Sequence, residues 1–267
     1  PYTLARVLVV DDHPVNLLFM RKALKKIGVG CVDEASSGAQ ALEQATSHEY
    51  HLIFMDCQMP DMDGFDTARH IRSLGESLNK ATPIVAITAD AMKGAREKCL
   101  ESGMNDYVTK PIEIEKLSLV MGQWLLPLLE GEEAKEGAVI AALHTAIPEK
   151  SSEVVIDWDH FSLFTDNDPA QEFELINMFI TYGAETLQSI STAFEQGDMS
   201  EFKSMCHKLK GSAANLGARA LSKACQAGEA GYNTAPHQKL ELLSVIQTEY
   251  QAVCTELQSR LEQRVAS

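Results

Sequence analysis

The sequence predicts two domains of different fold class: an α/β domain built on a doubly wound, five-stranded parallel sheet, and a separate all-α helical bundle. The length of 267 residues fits about two domains. Short apolar runs alternate with helical patterns up to residue 125, whereas beyond Val155 apolar residues recur only at helical spacing. We therefore expect an α/β domain over 1–125, an acidic linker over 126–154 and a four-helix bundle over 155–267.

The first domain alternates five candidate strands with five candidate helices. Three of the strands are apolar without interruption, as parallel strands covered on both faces should be. Strict alternation implies right-handed crossovers between neighbouring parallel strands. We expect strands at RVLVV, CVDEA, HLIFMD, PIVAIT and DYVTK, and helices at HPVNLLFMRKALKKIG, GAQALEQATS, DTARHIRSL, MKGAREKCLES and IEIEKLSLVMGQW.

The second domain has the periodicity of long helices that each bury one apolar stripe. Asp157 and Asp198 are expected as N-caps, and Gly197 and Gly217 as helix ends. The expected buried stripes are Phe173, Ile176, Ile180, Leu187, Ile190 and Phe194; then Phe202, Met205, Leu209 and Leu216; then Leu243, Ile246, Tyr250, Val253, Leu257 and Leu261.

Composition excludes several classes of function. The formal charge of −15 would repel nucleic-acid phosphates, so we expect no nucleic-acid partner. No apolar stretch has the roughly 18 residues that a membrane helix needs. The six cysteines form no C-x-x-C pair, which argues against zinc and favours reduced thiols in the cytoplasm. Because the chain opens at Pro1 without a signal segment, we expect it to be part of a longer protein.

Acidic and basic residues follow the strands of the first domain. Asp11 and Asp12 come after the first strand, Asp56 ends the third, Thr88 the fourth and Lys110 the fifth. The carboxyl ends of parallel strands meet at one edge, where ligands bind. Neighbouring carboxylates there would repel by about 4 kcal/mol per pair at an effective dielectric constant of about 20. The pattern therefore favours a bound Mg²⁺ and phosphoryl transfer to a carboxylate.

These residues lie in motifs that resemble those of response-regulator receiver domains, which have the flavodoxin-like fold. The motifs are VLVVDDHPVN, MDCQMPDMDGF, AITA and DYVTKP, and they cover about residues 4–125. The resemblance implies that Asp56 accepts the phosphoryl group and helps to bind Mg²⁺. It also implies a commonly cis Lys110–Pro111 bond. His13 departs from the asparagine that is frequent in receivers of hybrid kinases.

The same resemblance assigns roles to the residues around Asp56. It implies that Asp11, Asp12 and the backbone carbonyl of Gln58 complete the Mg²⁺ site. Thr88 and Lys110 would bind the phosphoryl group. The implied switch residues are Thr88 and Tyr107, the aromatic residue that changes rotamer on activation.

A second candidate site lies in the helical half. His207 is about 160° from Met205 and Leu209 on a helical wheel, so we expect it to point into water. Lys210 and Gly211 share its face. A glycine inside a helix costs about 1 kcal/mol relative to alanine. It would be explained by an open approach to the imidazole, although a kink or close helix packing would explain it equally well.

The stretch HKLKGSAANLG is similar to the H-x-x-K-G-(S/A) pattern of histidine-containing phosphotransfer domains. This resemblance implies that His207 carries a phosphoryl group on Nε2 and that Lys210 assists. Cys206, its neighbour, is expected to pack in the interior rather than to act as a nucleophile.

Together the two halves indicate a phosphorelay segment, most simply the carboxy-terminal part of a hybrid sensor histidine kinase. Asp56 would take phosphate from an upstream kinase domain of the same parent chain. His207 would receive it and pass it to a separate response regulator. No ATP-binding glycine boxes are evident, so we do not expect this segment to phosphorylate itself from ATP. We expect no membrane contact by the segment, although the parent chain could be membrane-anchored.

The leading alternative is a regulatory interaction module, in which phosphorylation of Asp56 alters domain packing and His207 serves as a phosphate sink or docking site. An aspartyl phosphatase is disfavoured, because such enzymes usually carry D-x-D with the nucleophile after the first strand. We also expect Leu17 and Leu18, on the first helix, to belong to a docking face for a phosphotransfer helix.

Overall fold

The computed structural model describes residues 2–75, 79–88, 95–130, 154–233 and 235–265. The chain divides into two compact units, Pro1–Pro148 and Glu149–Ser267, and each is described by itself. Residues 131–153, which are most of the predicted linker, lie outside the described residues.

The first unit contains the predicted alternation of five strands and five helices. The sheet order is β2-β1-β3-β4-β5, and every neighbouring pair is parallel. The strands are β1 (Arg6–Val10), β2 (Cys31–Ala35), β3 (Leu52–Asp56), β4 (Ile84–Thr88) and β5 (Asp106–Thr109). The helices are α1 (Pro14–Ile27), α2 (Gly38–Ser47), α3 (Gly64–Ser73), α4 (Ala95–Glu101) and α5 (Ile114–Glu130).

The sequence explains where these elements sit and where they start and stop. β3 is buried along its whole length, as its unbroken apolar run predicts. Ser37 caps α2 and Asp63 caps α3. Each side chain accepts a hydrogen bond from the backbone N–H three residues later, Gln40 in α2 and Asp66 in α3. Gly28 ends α1 with φ at 102°, a conformation in which a side chain would be strained.

Helix α5 extends past the predicted domain boundary. It continues through Pro127 to Glu130, so residues 126–130 are helical rather than the start of a linker. Leu125 is completely buried and the two residues after it are half-buried, so the packed face of α5 continues past residue 125, although Leu128 is exposed.

The second unit is helical throughout its described part. Its helices are α6 (Trp158–Thr165), α7 (Pro169–Gln196), α8 (Met199–Leu216), α9 (Arg219–Ala230) and α10 (Pro236–Val265). The four longer helices pack on one another, and the short α6 rests on α7 and α8. The predicted N-caps Asp157 and Asp198 accept backbone hydrogen bonds, and Gly197 and Gly217 end helices with positive φ.

Among the predicted stripe residues one is exposed, and four are half-buried: Ile180, Leu187, Phe194 and Leu261. Phe173 is 58% exposed, and the neighbouring inward position of α7 is taken by Glu172, whose side chain is completely buried. Arg260 and Arg264 of α10 each donate two hydrogen bonds to this carboxylate, at 2.7 to 3.2 Å. Burial opposes the charged form of Glu172, but the two arginines outweigh it and lower its pKa. A carboxylate between two guanidinium groups therefore joins the start of α7 to the end of α10.

No helix among the described ranges combines the length and the apolarity that crossing a bilayer requires.

The clamp at Glu172 predicts a pH-dependent loss of stability. Glu172→Gln should lower the free energy of opening of α7 and α10, measured by amide hydrogen exchange, by about 2 kcal/mol at neutral pH, because two charge-assisted pairs are lost. The folded pKa lies below the ordinary value of 4.5. The difference in opening free energy between wild type and Glu172→Gln should therefore be full above pH 4.5. It should disappear as the pH falls through the lowered pKa of Glu172 in the folded protein.

The matched control is Glu185→Gln, which neutralises an exposed carboxylate of the same helix. An equal effect of both substitutions would show that the Glu172 clamp contributes nothing specific.

Candidate functional site

The carboxyl edge of the sheet gathers the predicted acidic residues. Asp11 and Asp12 follow β1 and Asp56 ends β3. Each of the three offers an oxygen that lies within 4.8 Å of the others. Lys110 follows β5, and its Nζ lies 2.8 Å from Asp11 Oδ2 and 2.7 Å from Asp56 Oδ2. The structure thus brings together four of the side chains that the sequence predicted for this site.

These groups are held in place by the backbone around them. Asp11 Oδ1 accepts hydrogen bonds from the His13 amide, at 2.8 Å, and from Asn16 Nδ2, at 3.1 Å. The amide of Lys110 donates to the carbonyl of Thr88, which ties the end of β5 to the end of β4. Lys110, Asp11 and Asp56 have side chains that are at most 4% exposed. These three side chains are therefore held by hydrogen bonds and shielded from water, whereas Asp12 is only half-buried.

The burial of Asp11 and Asp56 with the ammonium of Lys110 shifts the pKa of each of these three groups. Burial raises the pKa of Asp56 to about 8; Lys110 acts against this and Asp11 adds to it. Burial also opposes the charged form of Asp11, but Lys110 and the hydrogen bonds to its carboxylate lower its pKa. Burial disfavours the ammonium of Lys110, yet the two carboxylates together raise its pKa. The carboxylates outnumber the cation, so the pocket favours an additional positive charge.

The oxygen set fits a hard divalent cation. Mg²⁺ takes oxygen ligands at about 2.0 to 2.1 Å, so opposite ligands lie about 4.2 Å apart, within the spacing of the three aspartates. The predicted fourth ligand, the carbonyl of Gln58, belongs to the loop that starts beside Asp56. In that loop the Gln58 amide donates to Asp56 Oδ1 at 3.2 Å.

The two predicted switch residues are in the neighbouring strands β4 and β5. The register pairs Asp56 with Ile87, so Thr88 lies one residue farther along the same edge. Tyr107 is in β5, is 8% exposed and packs in the apolar cluster that also holds Met59 and Cys99. The Lys110–Pro111 peptide bond is cis.

Leu17 and Leu18 do not form an exposed surface. They are 7% and 2% exposed, in a stretch of α1 that is buried from Val15 to Met20. Alanine at either position would leave a cavity and destabilise the fold by about 2 to 5 kcal/mol. We do not retain the prediction that these residues form a docking face.

The helical unit places His207 in an ionic cluster rather than in open water. Its side chain is 12% exposed, and its Nδ1 lies 3.1 Å from Oε1 of Glu229 on α9. Lys210 Nζ donates to the other oxygen, Oε2, of the same carboxylate. The expectation that His207 points into water is therefore wrong, because a helical wheel of α8 alone does not show the neighbouring helix that covers part of the imidazole.

Glu229 is the functional candidate that the sequence did not reveal. Burial opposes its ionisation, but the hydrogen bonds with His207 and Lys210 outweigh this and lower its pKa to about 2. A carboxylate only accepts hydrogen bonds, so Nδ1 of His207 must carry the proton. The lone pair of the neutral imidazole is then on Nε2, to which no described residue donates a hydrogen bond.

Two further residues of this motif are structural. Gly211 is buried within α8, which favours the close-packing explanation of this glycine over an open approach to the imidazole. Cys206 is completely buried, and a Cβ added at Gly228 of α9 would lie 3.0 Å from its sulfur. Burial raises the pKa of the Cys206 thiol to about 12, so it packs between the helices as expected.

Comparisons with known proteins divide the chain in the same way. Residues 7–121 match the family model described as the response regulator receiver domain, and residues 174–264 match that of the Hpt domain. The chain is a receiver domain followed by an Hpt domain. This combination makes it a segment of a two-component phosphorelay.

Named relatives match most of this chain within much longer proteins. The signal transduction histidine-protein kinase BarA of Escherichia coli is 31% identical over 225 residues, which are 82% of this chain and 23% of that protein. The sensor protein GacS of Pseudomonas syringae is 30% identical over 243 residues, which are 87% of this chain and 25% of that protein. The chain thus spans about a quarter of the length of these relatives.

Among solved structures, the receiver domain of a Pseudomonas aeruginosa sensor histidine kinase, with a magnesium ion coordinated in its active-site cleft, is 37% identical. It covers 45% of this chain and 96% of its own, with a TM-score of 0.42.

The close approach of α3 to Asp56 predicts that Gly64 is required at its position. A Cβ there would lie 2.0 Å from the Asp56 carbonyl oxygen. Gly64→Ala should therefore displace Asp56 and slow its phosphorylation by a small acyl phosphate about a hundredfold, with a loss of about 1 to 3 kcal/mol in unfolding free energy. Gly75→Ala is the control, since its Cβ meets nothing within 4 Å. Equal rates in the two variants would contradict the prediction.

The Glu229 contact predicts the tautomer of His207. Glu229→Ala should shift the neutral imidazole from Nδ1–H towards Nε2–H, because the acceptor that holds the Nδ1 proton is lost. Nitrogen NMR shifts of the labelled ring report this directly. Phosphorylation of His207 by a phosphorylated receiver should fall about ten- to a hundredfold.

Glu195→Ala, at an exposed position of α7, should change neither readout. A Glu229→Ala protein with wild-type ring shifts would show that Glu229 does not select the tautomer.

Proposed function

We propose that Asp56 and His207 are successive phosphoryl carriers in the carboxy-terminal part of a hybrid sensor histidine kinase. Asp56 accepts the phosphoryl group from a phosphohistidine of an upstream kinase domain, and His207 passes it to the receiver of a separate response regulator. The observation that carries the proposal is the pair of sites: a buried carboxylate beside a lysine in one unit, and an imidazole oriented by a carboxylate in the other.

The receiver pocket supports the first transfer. One oxygen of Asp56 is paired with Lys110, so the carboxylate is oriented by a fixed cation. The carboxylate attacks the phosphorus, the bond from phosphorus to the donor nitrogen breaks, and the donor imidazole leaves. Lys110 and Thr88 at the same edge of the sheet would then hold the phosphoryl oxygens.

Asp11, Asp12 and Asp56, with the carbonyl of Gln58, would hold Mg²⁺. When bound, this ion neutralises the carboxylates and the oxygens of the transferred phosphoryl group. The spacing of the three aspartates, the hard oxygen donors and the excess of negative charge support this assignment.

The Hpt site supports the second transfer. Nε2 of His207 attacks the phosphorus of the Asp56 acyl phosphate, the bond between phosphorus and the carboxylate oxygen breaks, and Asp56 leaves as a carboxylate. The proton on Nδ1 stays in place, because Glu229 accepts its hydrogen bond. Lys210, held by the same carboxylate, supplies a cation beside the incoming phosphoryl oxygens.

The proposed setting follows from the relatives. They are histidine kinases and sensor proteins about four times as long as the matched region. We propose that the upstream kinase domain belongs to the same parent chain, that the segment works in the cytoplasm, and that the parent is anchored in a membrane. Thr88 and Tyr107 would adjust their side chains when Asp56 is phosphorylated, which changes the surface that docking partners meet.

The relay predicts an order of labelling. Radiolabelled acetyl phosphate with Mg²⁺ should first give base-labile label on Asp56 and then acid-labile, base-stable label on His207. Asp56→Asn should remove both labels, and His207→Gln should leave label on Asp56 alone. His237→Gln, an exposed histidine of the same unit, should behave as wild type, and a chelator should prevent labelling.

Label on His207 when the Asp56→Asn protein is tested alone would contradict the relay. Label confined to Asp56 in wild type would instead indicate a regulatory module in which His207 is not a carrier. Mixing the two single variants tests transfer between chains, since label should reach His207 of the Asp56→Asn protein only when donor and acceptor meet in trans.

A further inference from the structure

Helix α9 packs closely against both of its neighbours at Gly228. This glycine is buried inside the helix. A Cβ added to it would lie 2.9 Å from Cδ1 of Ile246 on α10 and 3.0 Å from Sγ of Cys206 on α8. Contacts between nonbonded carbon atoms are ordinarily about 3.5 to 4.0 Å, and both neighbouring side chains are completely buried. A side chain at this position therefore requires that a helix moves or that the core repacks.

This contact lies directly beside the proposed phosphoryl carrier. Cys206 precedes His207 in α8, and Gly228 precedes Glu229 in α9. Oε1 of Glu229 lies 3.1 Å from Nδ1 of His207, near the upper end of the usual range of about 2.7 to 3.2 Å for a hydrogen bond. A shift of α9 away from α8 by about 1 Å would break it. The separation of the two helices at Gly228 therefore decides whether Glu229 reaches the imidazole.

A second contact fixes α9 to α8 farther along the helix. Ser222 lies seven residues before Glu229, which is about two turns, so the two side chains are on the same face of α9. The Ser222 hydroxyl donates a hydrogen bond to the backbone carbonyl of Lys210, at 3.2 Å. With one end of this stretch held by Ser222, the close approach at Gly228 sets the distance between the helices at Glu229.

We propose that Gly228 is a positioning residue for phosphoryl transfer to His207. Because it has no side chain, α9 comes near enough to α8 for Glu229 to accept the hydrogen bond from Nδ1, which leaves the lone pair on Nε2. A glycine inside a helix costs about 1 kcal/mol relative to alanine, and the placement of the carboxylate accounts for it. The effect on transfer rests on the proposed function, whereas the effect on the imidazole does not.

The test replaces Gly228 with alanine in the full chain. In Gly228→Ala, the nitrogen NMR shifts of the labelled His207 ring should move from Nδ1–H towards Nε2–H, because Glu229 no longer holds the Nδ1 proton. Phosphorylation of His207 by a phosphorylated receiver should be about tenfold slower. A general loss of stability does not change the tautomer in the folded protein, so the ring shifts separate positioning from a purely structural role.

Gly183→Ala is the matched control, because it adds a methyl group to a similarly tight contact between two other helices of the same unit. A Cβ at Gly183 of α7 would lie 2.7 Å from Cε2 of Tyr250 on α10. This variant should lose stability but keep the wild-type ring shifts and transfer rate.

A rescue variant removes the two atoms that the new methyl group would meet. Cys206→Ala removes the sulfur and Ile246→Val removes Cδ1, so Gly228→Ala combined with both should recover the ring shifts and the transfer rate of wild type. If Gly228→Ala alone does not fold, Gly228→Ala with Ile246→Val, which keeps only the contact with the sulfur, takes its place in the comparison.

Wild-type ring shifts in folded Gly228→Ala, or an equal change in Gly183→Ala, would overturn the positioning role. A change that the rescue variant does not reverse would also overturn it, since the cause would not be steric. Altered ring shifts with an unchanged transfer rate would overturn the control of transfer. If His207 of the wild type accepts no phosphoryl group, the proposed function fails, and the ring shifts still decide whether Gly228 positions Glu229.

Discussion

One ammonium group shared by two buried carboxylates holds the receiver site together. Lys110 comes from the end of β5, an edge strand, and Asp11 and Asp56 from the ends of β1 and β3, so the contact connects an edge of the sheet to its centre. The lysine leaves negative charge uncompensated, and a further cation is favoured where Asp12 adds its carboxylate. The parallel topology makes this possible, because it brings distant parts of the chain to one edge.

The helical unit uses the same kinds of group for a different purpose. In the receiver, burial keeps the pKa of Asp56 high. In the bundle, His207 and Lys210 keep the pKa of Glu229 low, and the ionised carboxylate orients the imidazole. In the receiver site a bound cation would stabilise the ionised form of Asp56. In the helical site the Nε2 lone pair of His207 lies near the ammonium group of Lys210. This difference between the two sites is what the proposed transfer from Asp56 to His207 requires.

Both proposed phosphoryl carriers are mostly covered. The Asp56 side chain is 4% exposed and that of His207 is 12% exposed. Limited exposure restricts water, which would hydrolyse an acyl phosphate, and it requires a partner surface that fits closely. Tight packing supports this geometry, since even one methyl group at Gly64 would collide with the backbone of Asp56. The positions of the sites are thus a property of the packed core as much as of the reactive residues.

The amino-acid sequence by itself determined the two fold classes, the helix caps and the residues at the carboxyl edge of the sheet. These depend on local periodicity, on capping chemistry and on the rule that parallel strand ends converge. Only the tertiary structure placed Glu229 beside His207, put Glu172 rather than Phe173 in the interior and covered Leu17 and Leu18. Each of these depends on which helix packs against which, and the spacing within one helix carries no information about its neighbour.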